Sequence, residues 1–347
     1  MTNEIARIAV VGAGLIGQRH CRAVQIADGA TLSAVVDPSD EGRAFADSIG
    51  VTWFAELSDM IAAGAADGVL LATPNTLHAA GANMCIDAAL PVLIEKPIFT
   101  DIAEGRDILQ RADAKGVPVA AGHHRRHNPL IARAKQSIDD GDIGQIVSVQ
   151  CSTWFMKPDY YYDVDWRRRK GAGPIYLNLI HDIDLLQFLC GPITEVRAIE
   201  SNAVRNNEVE DTAVVLLRFE NGALGTVNVS DTIVAPISWE LTARENPAYP
   251  ATNEACYWIG GTNGSLSLPQ LGLWTDNGAQ SWWQPISQVK LIHGFDDPLV
   301  RQAAQFAKVI RGTATPVVTG KDGLAALSVI NAVKEAAQTG QVVDPRL

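Results

Sequence analysis

Three stretches of this sequence carry residues whose types and spacing can do chemistry. The first is Gly12-Ala13-Gly14-Leu15-Ile16-Gly17, a GxGxxG run directly after the apolar stretch Ile8–Val11 and opening a helical pattern. In that setting Gly12 permits a tight turn, Gly14 lets the backbone approach a pyrophosphate, and Gly17 lets helix and strand pack closely. The first N–H groups of the helix, at Leu15 and Ile16, then offer donors and positive potential to phosphates. The second is Asp37, which ends the next apolar run, 20 residues after Gly17. A carboxylate there accepts hydrogen bonds from both hydroxyls of an adenine ribose and repels a 2′-phosphate. Pro38-Ser39-Asp40 follows, with no arginine, so NAD is predicted as cofactor over NADP. A helix-capping aspartate is the other reading of Asp37.

The third stretch is the pair of later strand ends. Thr73-Pro74-Asn75-Thr76-Leu77-His78 follows one apolar run and Glu95-Lys96-Pro97 follows another. In open α/β sheets ligands bind beyond the carboxyl ends of the strands. Thr73, Pro74, Asn75, His78, Glu95 and Lys96 are therefore assigned to the cofactor crevice, with Asn75 reaching the nicotinamide ribose and Thr76 capping the next helix. A Glu-Lys pair at such a place is costly if buried without a task.

The elements that position these residues alternate. Strand-like runs at Ile8–Val11, Thr31–Val36, Gly68–Leu71, Pro91–Ile94 and Val117–Ala121 are separated by helical patterns at Leu15–Ala27, up to Ser48, Thr76–Ala89 and Asp101–Ala114. Such alternation builds a parallel sheet covered on both faces. After about Ile143 the pattern changes to longer alternating runs, Ile146–Phe155, Thr212–Phe219 and Ala223–Val229, broken by turns such as Asn221-Gly222. A helix at Ile180–Leu189 interrupts them, and Pro298–Ile310 and Leu324–Ala337 close the chain. The expectation is an α/β protein: an N-terminal Rossmann dinucleotide-binding domain over 1–122, and an α+β substrate and oligomerisation domain with a large, mostly antiparallel sheet over 123–347. The last helices are expected to pack back on the first domain.

Bulk properties narrow the function classes. With 28 basic and 39 acidic residues the formal charge is −11, which disfavours nucleic acid and anionic membrane as partners. The basic run Arg167-Arg168-Arg169-Lys170 is read either as a solvated loop or as an anion contact. Cys21, Cys85, Cys151, Cys190 and Cys256 are scattered without CxxC spacing, so neither a disulfide framework nor a zinc site is expected. His123-His124-x-x-His127 is the nearest approach to a metal cluster, and no metal is assigned to it. No apolar run reaches the ~20 residues of a membrane span. A cytoplasmic location is expected, with assembly into a homodimer or homotetramer through the second sheet.

Gly12-x-Gly14-x-x-Gly17, Glu95-Lys96-Pro97 and a distal His181 before an apolar helix together resemble the glucose–fructose oxidoreductase/inositol dehydrogenase (Gfo/Idh/MocA) family over nearly the whole chain. The resemblance implies NAD(P)-dependent oxidation of a secondary alcohol in a sugar or cyclic polyol, or the reverse reduction. It puts Lys96 at the substrate hydroxyl and makes His181 the general base. It also places His124 near the cofactor, and Trp166 and Arg167 near cofactor or substrate. Relatives often carry an aspartate four residues before the histidine, where this chain has Leu177. In a helix, Asn178 would flank His181 and stand in as a hydrogen-bonding group without charge.

The chemistry implied is consistent: an ammonium stabilises developing alkoxide, and a near-neutral imidazole takes the proton. Other outcomes stay open at this point. Related proteins use retained NAD for redox-assisted elimination or glycoside cleavage. The substrate could be a cyclic diol or a carboxylated ring, for which Arg125, Arg126, Arg167 and Arg168 supply charge. A non-catalytic NAD-binding regulator is the remaining alternative.

Overall fold

Mostly apolar runs too short for helices produce the first sheet of the computed structural model, which describes residues 5–276, 278 and 280–347. Its strands and helices are β1 (Ala6–Val11), α1 (Leu15–Ile26), β2 (Ala30–Val36), α2 (Asp40–Ser48), β3 (Thr52–Phe54), α3 (Leu57–Ala62), β4 (Gly68–Leu71), α4 (His78–Asp87), β5 (Val92–Ile94), α5 (Ile102–Lys115) and β6 (Val119–Ala121). The six strands are all parallel in the order β3-β2-β1-β4-β5-β6. The order reverses between β1 and β4, where doubly wound sheets form their ligand crevice. Ile8 and Val10 enter one apolar cluster and Ala9 and Val11 the other, so both faces of β1 are covered.

The rest of the chain supplies α6 (Pro129–Asp139), β7 (Ile146–Trp154), α7 (Ile180–Cys190), β8 (Ile193–Ser201), β9 (Thr212–Phe219), β10 (Leu224–Ser230), α8 (Trp239–Thr242), β11 (Tyr257–Gly261), β12 (Gly264–Leu268), β13 (Gly272–Thr275), β14 (Ser287–Lys290), α9 (Pro298–Ile310) and α10 (Gly320–Thr339). An eight-stranded sheet runs β14-β13-β12-β11-β7-β10-β9-β8. Its pairs are antiparallel except β7 with β10, which lie parallel because α7 and the β8–β9 hairpin intervene between them in sequence. On β9, Ala213, Val215, Leu217 and Phe219 are buried, while Val214, Leu216 and Arg218 are exposed, so one face packs inward and the other is open.

The chain divides into two compact units: 1–128 with 296–327, and 129–295 with 328–347. In the first, α9 contributes Ala303, Phe306 and Ala307 to the cluster around Ile8 and Val10. Helix α10 starts four residues before the expected Leu324, because Thr319 and Asp322 cap each other's backbone N–H groups at 3.1 and 2.8 Å. The Thr76 cap does not form. Pro74 opens a 3-10 turn, Asn75–Leu77, that contains Thr76, and α4 begins after it with no side-chain cap. No helix among the described residues is long and apolar enough to cross a membrane.

Candidate active site

The glycine turn has the geometry its residue types dictate. Gly12 sits at φ +94°, and a Cβ there would lie 2.6 Å from the Ala72 carbonyl oxygen. A Cβ on Gly17 would lie 1.8 Å from the Gly12 carbonyl oxygen. Gly14 differs: a Cβ there would meet nothing within 4 Å, so the strand-to-helix turn opens onto space. Gly14 is also the N-cap of α1 and its helix end has no side-chain cap, leaving the Leu15 and Ile16 N–H groups for a ligand. Thr73 Oγ1, beyond the end of β4, is buried and meets no hydrogen-bond partner among the described residues. An uncapped helix start, an open glycine and an orphan hydroxyl at adjacent strand ends fit a dinucleotide.

Asp37 is not the cap of α2; Ser39 is, accepting the Gly42 N–H at 3.0 Å. The Asp37 carboxylate instead accepts the N–H of Ala13 at 2.7 Å and of Ser39 at 2.9 Å. Burial pushes this carboxyl up, but those bonds and the Ser39 hydroxyl outweigh it and hold it below its ordinary value.

At the end of β5 the structure separates Glu95 from Lys96. Lys96 is half-buried at the strand end. Glu95 is turned inward, 6% exposed, with Oε1 2.7 Å from His20 Nε2. Its Oε2 accepts the Lys96 backbone N–H at 3.0 Å. Burial alone would raise this carboxyl. The His20 hydrogen bond and the nearby charges of His20, Lys96 and His124 bring it down to about 2. His78 is fully buried, with Nδ1 3.0 Å from the Pro97 carbonyl oxygen and Nε2 3.0 Å from that of Thr73. Both partners are acceptors, so the tautomer decides which of the two carbonyls receives the ring N–H, and the ring lies between the Thr73 turn and the Lys96-Pro97 loop. Asn75, by contrast, is exposed in its 3-10 turn.

His124 begins a 3-10 turn, His124–His127, after β6 and is half-buried. Burial, then the charges of His124, Arg301 and Arg126, push His127 down to about 3, which keeps it a neutral imidazole. Among the described residues no three His, Cys, Asp or Glu side chains are grouped as a metal ion requires. Arg125 and Arg126 are buried, the latter 3.4 Å from Asp322.

In the second unit, His181 stands in the first turn of α7 at 8% exposure. The residues before it do not continue the α-helix: Ile175–Leu179 form one π-helical turn. Such turns recur at functional sites. Glu210 holds this turn, accepting the Ile175 N–H at 2.9 Å and pairing with Lys334 of α10 at 2.7 Å. Tyr176 adds a bond to Asn331 at 3.1 Å. Asn178 donates its amide N–H to Glu240 Oε1 of α8 at 3.4 Å, so a carboxylate lies beside Asn178 although position 177 carries a leucine. Asp182 is fully buried and accepts from Thr153 at 2.9 Å and from the Tyr257 hydroxyl. Trp166 is 53% exposed in the 3-10 turn Asp165–Arg168. Arg167 lies 4.1 Å over the Tyr161 ring and donates to the Tyr161 carbonyl oxygen at 2.8 Å. Arg168 pairs with Asp165 at 3.4 Å.

Sequence reasoning missed several groups here. His20 had a signal, one turn beyond Gly17 on the packed face of α1. Lys157 is buried 3.5 Å from Asp231, and burial lowers its pKa against the pull of Asp231, Glu240 and Glu210. Neither it nor Glu240 belongs to a recognisable local motif.

Residues 6–123 match the oxidoreductase family with an NAD-binding Rossmann fold, and 131–267 match the GFO/IDH/MocA C-terminal domain. The rhizopine catabolism protein MocA of Rhizobium meliloti is 27% identical over 95% of this chain and 94% of its own. An inositol 2-dehydrogenase of Mycolicibacterium gilvum is 28% identical over 98% of this chain and 93% of its own. The WlbA dehydrogenase of Bordetella pertussis, solved with NADH and UDP-GlcNAcA, superposes with a TM-score of 0.79 at 28% identity, covering 99% of each chain.

Proposed function

Because the chain belongs to the Gfo/Idh/MocA family of NAD-binding oxidoreductases, we propose that it oxidises a secondary alcohol of an inositol-like or sugar-like ring, or reduces the matching ketone. The observation that carries this reading is the position of Lys96. It ends β5, next in the sheet to β4 with its orphan Thr73 hydroxyl and one strand further from the glycine turn. An ammonium at that edge of a nicotinamide crevice is where developing alkoxide charge needs a partner.

Gly12, Gly14, Gly17 and the first N–H groups of α1 would hold the phosphates of NAD, and Asp37 its adenine ribose; bound there, it would supply the hydride acceptor. Lys96 stabilises the substrate oxygen, and His181 takes the hydroxyl proton as general base. Asn178, with Glu240 against its amide, orients the segment that carries His181. The inositol 2-dehydrogenase similarity over nearly the full length supports the polyol class. A carboxylated sugar is the second reading, favoured by the Arg167 guanidinium fixed on Tyr161. The open face of the eight-stranded sheet is assigned to self-association.

A screen of inositols, sugars, uronic acids and cyclic diols with NAD, followed by NADH absorbance, tests the proposal. Turnover of an inositol or neutral sugar supports the first reading and turnover confined to acids the second. NAD that co-purifies and never yields free NADH would replace both with an internal redox cycle.

A further inference from the structure

The peptide that begins Lys96 is held from two helices by buried histidines. On one side His20 of α1, 1% exposed, meets Glu95 Oε1 at 2.7 Å, and the other Glu95 oxygen accepts the Lys96 N–H at 3.0 Å. On the other side His78 of α4 reaches the Pro97 carbonyl oxygen at 3.0 Å. The end of β6 leaves room for this arrangement: a Cβ on Gly122 would lie 2.8 Å from Glu95 Cα and 3.1 Å from Oε1.

A histidine and a carboxylate buried together are a costly way to fill a core; apolar residues of the same volume often do as well or better. The His20–Glu95 pair therefore calls for a task that packing does not explain, and its connections name one. His20 stands three residues beyond Gly17 on the helix whose N-terminus carries no side-chain cap and to which the proposed function assigns the dinucleotide phosphates. Glu95 immediately precedes Lys96. One carboxylate thus bridges the helix that seats the cofactor and the loop that carries the ammonium.

We propose that His20 and Glu95 are positioning residues that tie helix α1 to the Lys96 loop, so that Lys96 is set at a fixed place relative to the bound dinucleotide. This rests on the reading of Lys96 as the group that meets the substrate oxygen. The charged and titratable groups acting on Glu95 are His20, Lys96 and His124.

The test compares wild type with His20→Leu, His20→Gln and Glu95→Gln. A displacement of about 1 Å in a reacting group costs on the order of 10²-fold. His20→Leu is expected to lower kcat by about that factor with KM nearly unchanged. His20→Gln, which keeps an N–H for Glu95, should restore most of it. In a Lys96→Met background His20→Leu should have no further effect on kcat, whereas a pair that only stabilises the fold would cost the same in both backgrounds. A substrate-free arm labels lysine amines with acetic anhydride at fixed pH and reads the Lys96 peptide by mass spectrometry. Lys96 should label several-fold faster in Glu95→Gln and His20→Leu than in wild type, and at the wild-type rate in His20→Gln. If His20→Leu does not fold, Glu95→Gln against His20→Gln makes the same comparison. Equal labelling in wild type and Glu95→Gln overturns the proposal. Wild type that labels as expected and oxidises no ring alcohol overturns the proposed function instead.

Discussion

Asp37 Oδ2 accepts the Ala13 N–H at 2.7 Å, so the carboxylate that ends β2 is fastened to the turn that ends β1. The same bond that fixes its direction helps to keep it ionised. A fixed anion at this point pairs with ribose hydroxyls and repels a 2′-phosphate. Asp37→Ala should lower the kcat/KM ratio for NAD over NADP by about tenfold or more, equivalent to ~1.4 kcal/mol. Steady-state kinetics with both cofactors measure it; a wild-type enzyme that prefers NADP would contradict the assignment.

Two glycines in the same turn should separate folding from binding. Gly17→Ala drives a Cβ to 1.8 Å from the Gly12 oxygen and should destabilise by about 4 kcal/mol or more, among the largest single-residue effects. Gly14→Ala meets no neighbour and should cost less than about 1 kcal/mol. Its Cβ enters the space for the pyrophosphate, so NAD affinity should fall although the melting temperature hardly moves. Thermal melts and calorimetric NAD titrations on both variants distinguish the two effects.

The cofactor half of the site is legible in the sequence because its signals are local. The glycine spacing, the strand before it and Asp37 at the end of β2 all lie within the first two strands. Other features lack such signals. His20 and Glu95 each lie beside a recognisable motif, but they are 75 residues apart, so the pairing itself has no local signal. Ile175–Leu179 has the apolar pattern of an ordinary helix, so its π-helical geometry, and the turn of Asn178 toward Glu240, depend on tertiary contacts with Glu210 and α10. The strand β3 has only Thr52, Trp53 and Phe54, too few residues for an alternating pattern. The parallel pairing of β7 with β10 is set by long-range register that no single segment encodes.

Glu95 also predicts an acid limit to stability. Its folded-state pKa of about 2 lies below the ordinary 4.5, so folding favours the ionised form. That contribution is complete above about pH 4.5 and is lost as pH falls from there toward 2. Glu95→Gln removes the titration. The difference in melting temperature between wild type and variant should therefore narrow as pH is lowered through this window. A difference that stays constant from pH 6 to pH 3 would assign the acid sensitivity to other carboxylates.

The open face of the second sheet predicts assembly. Val214 lies opposite Ile199, and Leu216 opposite Arg197 and Thr226, with Ile199 78%, Leu216 51% and Val214 45% exposed. Contiguous apolar positions on one sheet face are expected to be covered by another copy. Sedimentation equilibrium at micromolar concentration should show a dimer or tetramer, and Leu216→Arg should shift it toward monomer with little loss of helicity. Wild type that sediments only as monomer would leave the face uncovered and remove the assignment.

The strongest test of the chemistry lies with Lys96 and His181. Each alanine substitution should lower kcat by ~10²–10⁴-fold, the usual contribution of a general acid–base group. NAD affinity should change far less, because the glycine turn and Asp37 are the groups assigned to hold the cofactor. The two losses should be non-additive if both residues serve one proton transfer. Asn178→Ala should be milder than either, since it loosens the approach to His181 without removing a reacting group. Asn178→Asp places a second carboxylate near Glu240, three residues before the histidine. The added negative charge favours imidazolium and raises the His181 pKa. Oxidation needs the neutral ring, so the acidic limb of the pH–rate profile should move to higher pH in this variant. A His181→Ala enzyme that keeps wild-type kcat at saturating substrate would exclude His181 as the base and leave Lys96 to be paired with another proton acceptor.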